Sequence, residues 1–149
     1  MKSRNFRSTL LIIMVGVFGG CASIPMGSPD DDVRAKSFPI KPHKANIYVY
    51  RHESFGFAFP MTVALNGRVA GQTLGQTYVR WEVDPGPHEI ISYAEDISAV
   101  KLNTEPGKTY YVWQEVKIGL WKARSLLHQV DEDTGRKGVI VCQLAKSGI

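Results

Sequence analysis

The hydrophobic pattern divides the chain into three zones. Residues 10–18 form a continuous apolar run behind a short basic N-terminus. Residues 22–44 show neither helical nor strand periodicity and contain four prolines and a run of three aspartates. From residue 45 onward, short β-branched and aromatic segments alternate with turn residues. The pattern therefore predicts an N-terminal targeting segment, a linker and one folded domain.

The first zone is typical of a secretory signal peptide. A membrane-spanning helix needs about 20 apolar residues, and this run is shorter. Three basic residues and no acidic residue precede the run, and small residues follow it, as in a cleavable signal. We expect residues 1–20 to be removed from the mature protein.

The sequence Phe18-Gly19-Gly20-Cys21 resembles the lipobox of bacterial lipoproteins, in which an apolar residue and two small residues precede a cysteine. Phe18 departs from the usual leucine but remains apolar. The resemblance implies cleavage between Gly20 and Cys21, a diacylglycerol thioether on Cys21 and acylation of the new N-terminus, for example by palmitate. Because two or more chains anchor a protein stably, a lipid bilayer is the predicted partner of Cys21.

Removal of the signal changes the charge balance. The mature chain keeps 15 basic and 14 acidic residues, a net charge near +1, so we expect no nucleic-acid partner. Cys142 is then left as a lone thiol without a disulfide partner, and we expect it to pack as a small buried hydrophobe.

The second zone, residues 21–44, reads as the lipidated cysteine followed by a flexible linker. It cannot bury an amphipathic face and should be extended and mobile. A chain of about 20 residues spans roughly 25 Å, enough to lift a domain clear of lipid headgroups.

The third zone, residues 45–146, predicts one domain built mainly of strands. Val79, Trp81 and Val83 alternate with polar residues and should share one buried face. Asn66-Gly67 indicates a two-residue hairpin that sets Leu65 opposite Arg68, so a bulge or a longer loop is expected to correct the register. A further long strand has one face marked by Tyr110, Val112, Val116 and Ile118. Turns recur every 8 to 12 residues or so, which favours an antiparallel β-sandwich of about seven strands.

Five segments make a family resemblance specific: NIYVYR, LNGRVAG, VDPGPHEI, EPGKTYYVWQEV and LHQVDEDTGRKG. Together they are similar to a bacterial lipoprotein family that carries the domain of unknown function 2846. Residues 63–91 also resemble the PEGA domain, a small β-sandwich module of envelope proteins. The resemblance implies a sandwich fold and an envelope location, and it brings no catalytic residue and no cofactor.

Two interpretations compete for the C-terminal segment. Residues 139–141 are β-branched, which favours a strand, whereas the family resemblance suggests a short helix after Val130. Asp131 or Asp133 would cap that helix, and Cys142 would turn inward. We favour the helix, although Gly135 and Gly138 weaken it by about 1 kcal/mol each.

Candidate chemistry is sparse. The four histidines lie singly without metal-ligand spacing, and no nucleophile motif is present. We therefore predict no enzyme activity, no metal and no cofactor. Phe55, Phe57 and Phe59 either anchor a loop on the core or form an apolar partner surface, and Trp113 and Trp121 are expected in the core.

Taken together, these features predict an envelope lipoprotein whose β-sandwich serves as a binding or structural accessory module, for example in an envelope protein complex. The alternatives are a carrier of an apolar ligand and an envelope hydrolase. Ala22 and Ser23 lack the aspartate that retains enterobacterial lipoproteins in the inner membrane. In a diderm bacterium, we therefore expect the protein at the outer membrane, facing the periplasm.

Overall fold

The structure is a computed structural model that describes residues 23–54, 58–121 and 123–149. Two helices and nine strands lie within these residues. The helices are α1 (Pro29–Lys36) and α2 (Glu132–Ile140). The strands are β1 (Ala45–Arg51), β2 (Met61–Leu65), β3 (Arg68–Thr73), β4 (Thr77–Val83), β5 (Gly86–Tyr93), β6 (Ile97–Thr104), β7 (Thr109–Ile118), β8 (Ala123–Val130) and β9 (Gln143–Leu144).

The strands form two packed sheets with the orders β8-β7-β1-β4-β9 and β3-β2-β5-β6. This confirms the predicted mainly β sandwich with a short C-terminal helix, with nine strands in the described residues where about seven were expected. Two strand pairs are not antiparallel, because β1 runs parallel to β7 and β4 runs parallel to β9. Alternation along a strand predicts which face is buried but not which strand lies beside it, so these two pairs could not be predicted from it.

Apolar side chains fill the space between the two sheets. Val79, Trp81 and Val83 are buried there as predicted. Val49 and Val63, which come from opposite sheets, are fully inaccessible to solvent. The interior between the sheets is thus a packed core.

The predicted Asn66-Gly67 hairpin is confirmed. Both residues adopt positive φ angles, 51° and 77°, as a two-residue turn between twisted strands requires. The turn pairs Leu65 with Arg68, and the register then shifts between Val63 and Ala64. The bulge lets the apolar residues return to the core face, as the sequence pattern indicated.

A second core lies on the outer face of the five-stranded sheet, beneath α2. Four buried tyrosines form its floor: Tyr48, Tyr50, Tyr78 and Tyr111. Asp131 caps α2, and its Oδ1 accepts a hydrogen bond from Thr134 N at 2.9 Å. Val139 and Cys142 are buried against the tyrosines. The predicted helix and the inward-facing Cys142 are therefore confirmed.

The prediction of an extended, mobile linker has to be corrected for residues 23–44. Ile24 is buried in the main core, and Ala35 of α1 and Phe38 are buried beside the tyrosines. Asp32 Oδ1 accepts hydrogen bonds from the Tyr78 hydroxyl and from Leu144 N, both at 2.9 Å. A few scattered apolar residues are enough to hold this segment against the sheet, because the sheet already presents an aromatic surface on which they can pack.

Parts of the described sheet edges are hydrogen-bonded to other segments of the chain. Met26 forms a bridge to Ala145 beyond β9, and Gly148 N donates to Ala70 O of β3. At the β8 edge, Leu127 N donates to Ser98 Oγ of β6. At these positions the edge backbone groups are already paired, which disfavours strand addition there.

Candidate functional site

Four of the predicted site residues lie outside the described residues: Gly20, Cys21, Phe55 and Phe57. Phe59 is described, and its side chain is 47% exposed. Its carbonyl oxygen accepts a hydrogen bond from Arg51 Nη1 at 2.7 Å. The backbone at Phe59 is thus fixed, while its ring remains at the surface.

In the described parts of the chain, no helix has the length and apolar character needed to cross a bilayer.

Three connections meet at one end of the sandwich. Met61, which follows the β1–β2 loop, is buried against Val116 of β7 and Ala123 of β8. Ala94, in the turn of the β5–β6 hairpin, packs against the same cluster. We call this region (residues 58–61, 93–97, 116–121 and 123–124) the loop end. It contains Phe59 and the turn of the β7–β8 hairpin.

The β7–β8 turn carries the three most exposed large apolar side chains of the described residues. Ile118, Leu120 and Trp121 are 81%, 89% and 90% exposed. The expectation that Trp121 packs in the core is wrong. Ile118 lies on the same face of β7 as Val112, but it is exposed. β1 pairs with β7 only as far as Trp113, and residues 114–118 pair with β8 alone. The end of β7 and the turn that follows it therefore project beyond the end of β1.

A carboxylate from the neighbouring hairpin fixes this exposed turn. Glu95 Oε1 accepts a hydrogen bond from Leu120 N at 3.0 Å, and Oε2 accepts one from Trp121 N at 2.8 Å. Glu95 N donates in turn to Ala123 O at 3.2 Å. Charge-assisted bonds to backbone N–H groups are stronger than neutral ones. These bonds fix the backbone of the turn while its apolar side chains point outward.

An aromatic row lies beside the loop end on the outer face of the five-stranded sheet. The ring of Trp113 lies between the rings of His52 and His128, each tilted by 30° to it, and its centroid is 5.4 Å from that of His52 and 5.2 Å from that of His128. Its Nε1 donates to Glu53 Oε1 at 2.8 Å, and His128 Nε2 lies 2.8 Å from Glu115 Oε2. Hydrogen bonds from Lys117 and then His128 lower the pKa of Glu115. Trp113 is half-buried here rather than in the core between the sheets.

A groove of about 420 Å³ lies at the opposite side of the molecule, between α1 and the C-terminal segment. Six charged side chains line it: Asp31, Arg34, Lys41, Arg80, Glu82 and Lys146. Lys41 Nζ donates to Glu82 Oε1 at 2.8 Å, and this hydrogen bond is the main reason why the pKa of Glu82 is lowered. With four cations and two carboxylates, the groove has an excess of positive charge.

The titratable side chains buried in the second core include Cys142, Tyr50 and Tyr111. Burial raises the pKa of Cys142, Tyr50 and Tyr111 to about 12, so all three stay protonated at neutral pH. A thiol that is not ionised is a poor nucleophile. Within the described ranges, no group of three or more His, Cys, Asp or Glu side chains could hold a metal ion.

Comparison with known proteins identifies the family. The sequence matches the family described as Protein of unknown function (DUF2846) over residues 41–125, more than half of the chain. The chain belongs to the DUF2846 family. An uncharacterized protein of Haemophilus influenzae is 28% identical over 145 residues, which cover 95% of this chain and 86% of the relative. No solved structure matches.

The DUF2846 match contains the loop end and excludes both helices. Three residues of the loop end were missed by the sequence analysis: Glu95, Ile118 and Leu120. A signal was present, because Ile118-Gly119-Leu120-Trp121 is an apolar turn between two strand patterns, where turn residues are normally polar. Glu95 gave no signal, since its partners are backbone groups about 25 residues away.

Proposed function

We propose that this DUF2846 protein is an envelope lipoprotein, anchored by acyl chains on Cys21, whose β-sandwich is a binding or structural accessory module. One observation carries the binding role: Ile118, Leu120 and Trp121 are almost fully exposed on a backbone that Glu95 holds in place. Adjacent apolar side chains exposed in this way mark contact sites on soluble domains.

The energy available at the turn supports a specific contact. Full burial of one large apolar side chain contributes about 1.5–3 kcal/mol, so the three together can supply several kcal/mol. Association costs at least about 4 kcal/mol in lost translational and rotational freedom. The partner must therefore bury the whole turn in a pocket, and Phe59, half-exposed at the same end, adds to the surface it can contact.

The partner that we propose is a protein of an envelope complex with an apolar pocket for Trp121. The segments bonded to parts of the sheet edges disfavour docking there by strand addition, whereas a tryptophan on a projecting turn is a typical interface anchor.

The two alternatives have less support. A carrier of an apolar ligand requires an open cavity between the sheets, but side chains such as Val49, Val63 and Val79 fill that space in the described structure. A hydrolase requires convergent catalytic groups, and the thiol of Cys142 is held protonated by burial.

The proposed anchor and location rest on the N-terminal sequence. The similarity of residues 18–21 to a lipobox supports lipidation of Cys21 after cleavage behind Gly20. If the source is a diderm bacterium, Ala22 and Ser23 favour the outer membrane, with the sandwich in the periplasm. The likeness of residues 63–91 to PEGA modules agrees with an envelope role.

Metabolic labelling with a fatty-acid analogue tests the anchor. The wild-type protein should take up the label, and Cys21→Ser should accumulate as an unlabelled, uncleaved precursor. Cys142→Ser removes the other thiol and should keep the label. Equal labelling of the wild type and Cys21→Ser would disprove lipidation at this cysteine.

Photo-crosslinking in the native envelope tests the binding role. A photoreactive residue at Trp121 should give a discrete adduct with a larger protein. The matched control is Val69, which is 67% exposed and lies next to the Asn66-Gly67 turn at the other end of the sandwich. No adduct at position 121, or the same adducts from both positions, would contradict a binding site at the loop end.

A further inference from the structure

Packed residues of the fold lie very close in sequence to the proposed anchor. Ile24 is 7% exposed and belongs to the main core. Pro25 O accepts a hydrogen bond from Lys146 N at 2.9 Å, and Gly27 N donates to Leu144 O at 2.8 Å. The chain is therefore built into the β9 edge of the five-stranded sheet from residue 24 onward.

The length of the connection limits the height of the domain above a membrane. Three peptide units separate Cys21 from Ile24, and each spans at most about 3.8 Å, so their Cα atoms are at most about 11 Å apart. The headgroup region of one leaflet is itself roughly 5–8 Å thick. A lipidated Cys21 below the headgroups thus leaves at most about 3–6 Å between the headgroup surface and the Cα atom of Ile24.

We propose that the sandwich rests directly on the bilayer that carries its acyl chains, with the β9 edge and the α1 groove against the lipid headgroups. This inference rests on the proposed lipidation of Cys21. It replaces the roughly 25 Å linker that the sequence suggested with a short connection that orients the domain.

The charges of this side suit phosphate headgroups. The groove presents Arg34, Lys41, Arg80 and Lys146 against two carboxylates. Two of these cations are paired within the groove, Arg34 with Asp31 and Lys41 with Glu82, and Asp32 pairs with Lys36 at 2.8 Å. The excess positive charge of the groove therefore comes from Arg80 and Lys146. Cations close to an anionic surface are attracted within about one Debye length.

The same orientation directs the loop end away from the lipid. β7 and β8 lie three and four strand positions from β9, which at about 4.8 Å per strand amounts to roughly 14 and 19 Å. The exposed turn between them is thus presented to the aqueous side, where a partner protein can reach it.

Fluorescence quenching on the intact lipoprotein tests the orientation. Lys146→Cys labels the proposed membrane side, and Lys101→Cys, on β6 at the far edge of the other sheet, is the matched control. A fluorophore attaches to the introduced thiol, since Cys142 is buried. The protein is reconstituted in phosphatidylethanolamine–phosphatidylglycerol vesicles that contain a lipid with a nitroxide quencher on its headgroup.

We expect several-fold stronger quenching at position 146 than at position 101. A Gly/Ser insertion of about 15 residues after Ala22, with a span of roughly 20 Å, should abolish the difference. Equal quenching in vesicle-bound protein without the insertion would overturn the orientation and leave lipidation intact. Failure of the protein to float with the vesicles would instead overturn the anchor, and the orientation with it.

Discussion

Gly138 of α2 lies directly against the ring of Tyr50 on β1. A Cβ atom at position 138 would come within 2.1 Å of Tyr50 Cε2, and one at Gly135 would come within 2.1 Å of Tyr111 Cγ. The two glycines that weaken the isolated helix are therefore what allows it to lie flat on the tyrosine floor. Close packing of the helix compensates for its low intrinsic propensity.

Gly138→Ala should destabilise the protein despite its better helix propensity. The alanine gains about 1 kcal/mol in propensity, but the overlap with a buried ring costs at least about 3 kcal/mol, at the upper end of overpacking. We expect a net loss of about 2 kcal/mol or more in the free energy of unfolding, measured with urea. The control Lys137→Ala, at an exposed neighbouring position, should stay within about 0.5 kcal/mol. An unchanged or raised midpoint for Gly138→Ala would contradict the packing argument.

Asp32→Ala should loosen the N-terminal segment. Its carboxylate accepts hydrogen bonds from Tyr78 and Leu144 and pairs with Lys36, and loss of a partly buried acceptor costs about 1–3 kcal/mol. We expect faster hydrogen exchange and proteolysis in residues 23–36. Asp30→Ala, on the exposed side of the same run, is the control and should behave like wild type. If both variants behave alike, Asp32 does not hold the segment.

Local patterns predicted the parts of the fold that depend on local physics. The alternation of Val79, Trp81 and Val83 identified a core face, and the positive φ preference of Asn66-Gly67 identified a turn. The parallel pairing of β1 with β7 could not be predicted, because both its neighbours and its direction are set by the packing of the whole chain.

The candidate site was only partly predictable for the same reason. Phe59 was named as either a loop anchor or a partner surface, and Trp121 was assigned to the core because large aromatic residues usually lie there. Its exposure follows from the length by which β7 exceeds β1, and strand lengths relative to one another are not encoded in any one segment. Asp32 was likewise placed in a mobile linker, because the partners that hold it, Tyr78 and Leu144, lie far along the chain.

Cys142 should react slowly with a thiol reagent in the folded protein. It is 1% exposed, and burial raises its pKa to about 12. In the Cys21→Ser background, we expect labelling at least about a hundredfold slower in buffer than in denaturant, since it requires local opening. Val141→Cys adds a thiol at a position that is 61% exposed, and that thiol should react at once. Equally rapid reaction at both positions would mean that α2 does not cover Cys142.

The protein should lose stability at alkaline pH. The unfolded chain loses protons from the thiol near its ordinary pKa of 9.0 and from tyrosines near 10.0, while burial keeps the pKa of Cys142 and Tyr50 at about 12 in the folded state. Above pH 9, the unfolded state thus binds fewer protons, so stability that is fully present below pH 9 falls as the pH rises toward 12. Tyr50→Phe should reduce this fall between pH 9 and pH 11, and Tyr93→Phe, at the more exposed Tyr93, should not. Urea midpoints that do not change over this range would contradict the prediction.

Glu95→Ala should release the β7–β8 turn without unfolding the sandwich. The substitution removes both acceptors of the Leu120 and Trp121 N–H groups, and those amides should then exchange faster with solvent, as measured by hydrogen exchange on a peptide that contains residues 117–121. Glu95→Gln keeps one acceptor oxygen and should have an intermediate effect. The control is Glu89→Ala in the same β5–β6 hairpin, where Glu89 Oε1 lies 3.9 Å from Lys101 Nζ. This substitution should leave the β7–β8 turn unchanged.

Since a mobile turn must be ordered again on binding, the crosslinked adduct at position 121 should weaken in the order wild type, Glu95→Gln, Glu95→Ala. Faster exchange with an undiminished adduct would show that the partner does not need the fixed turn.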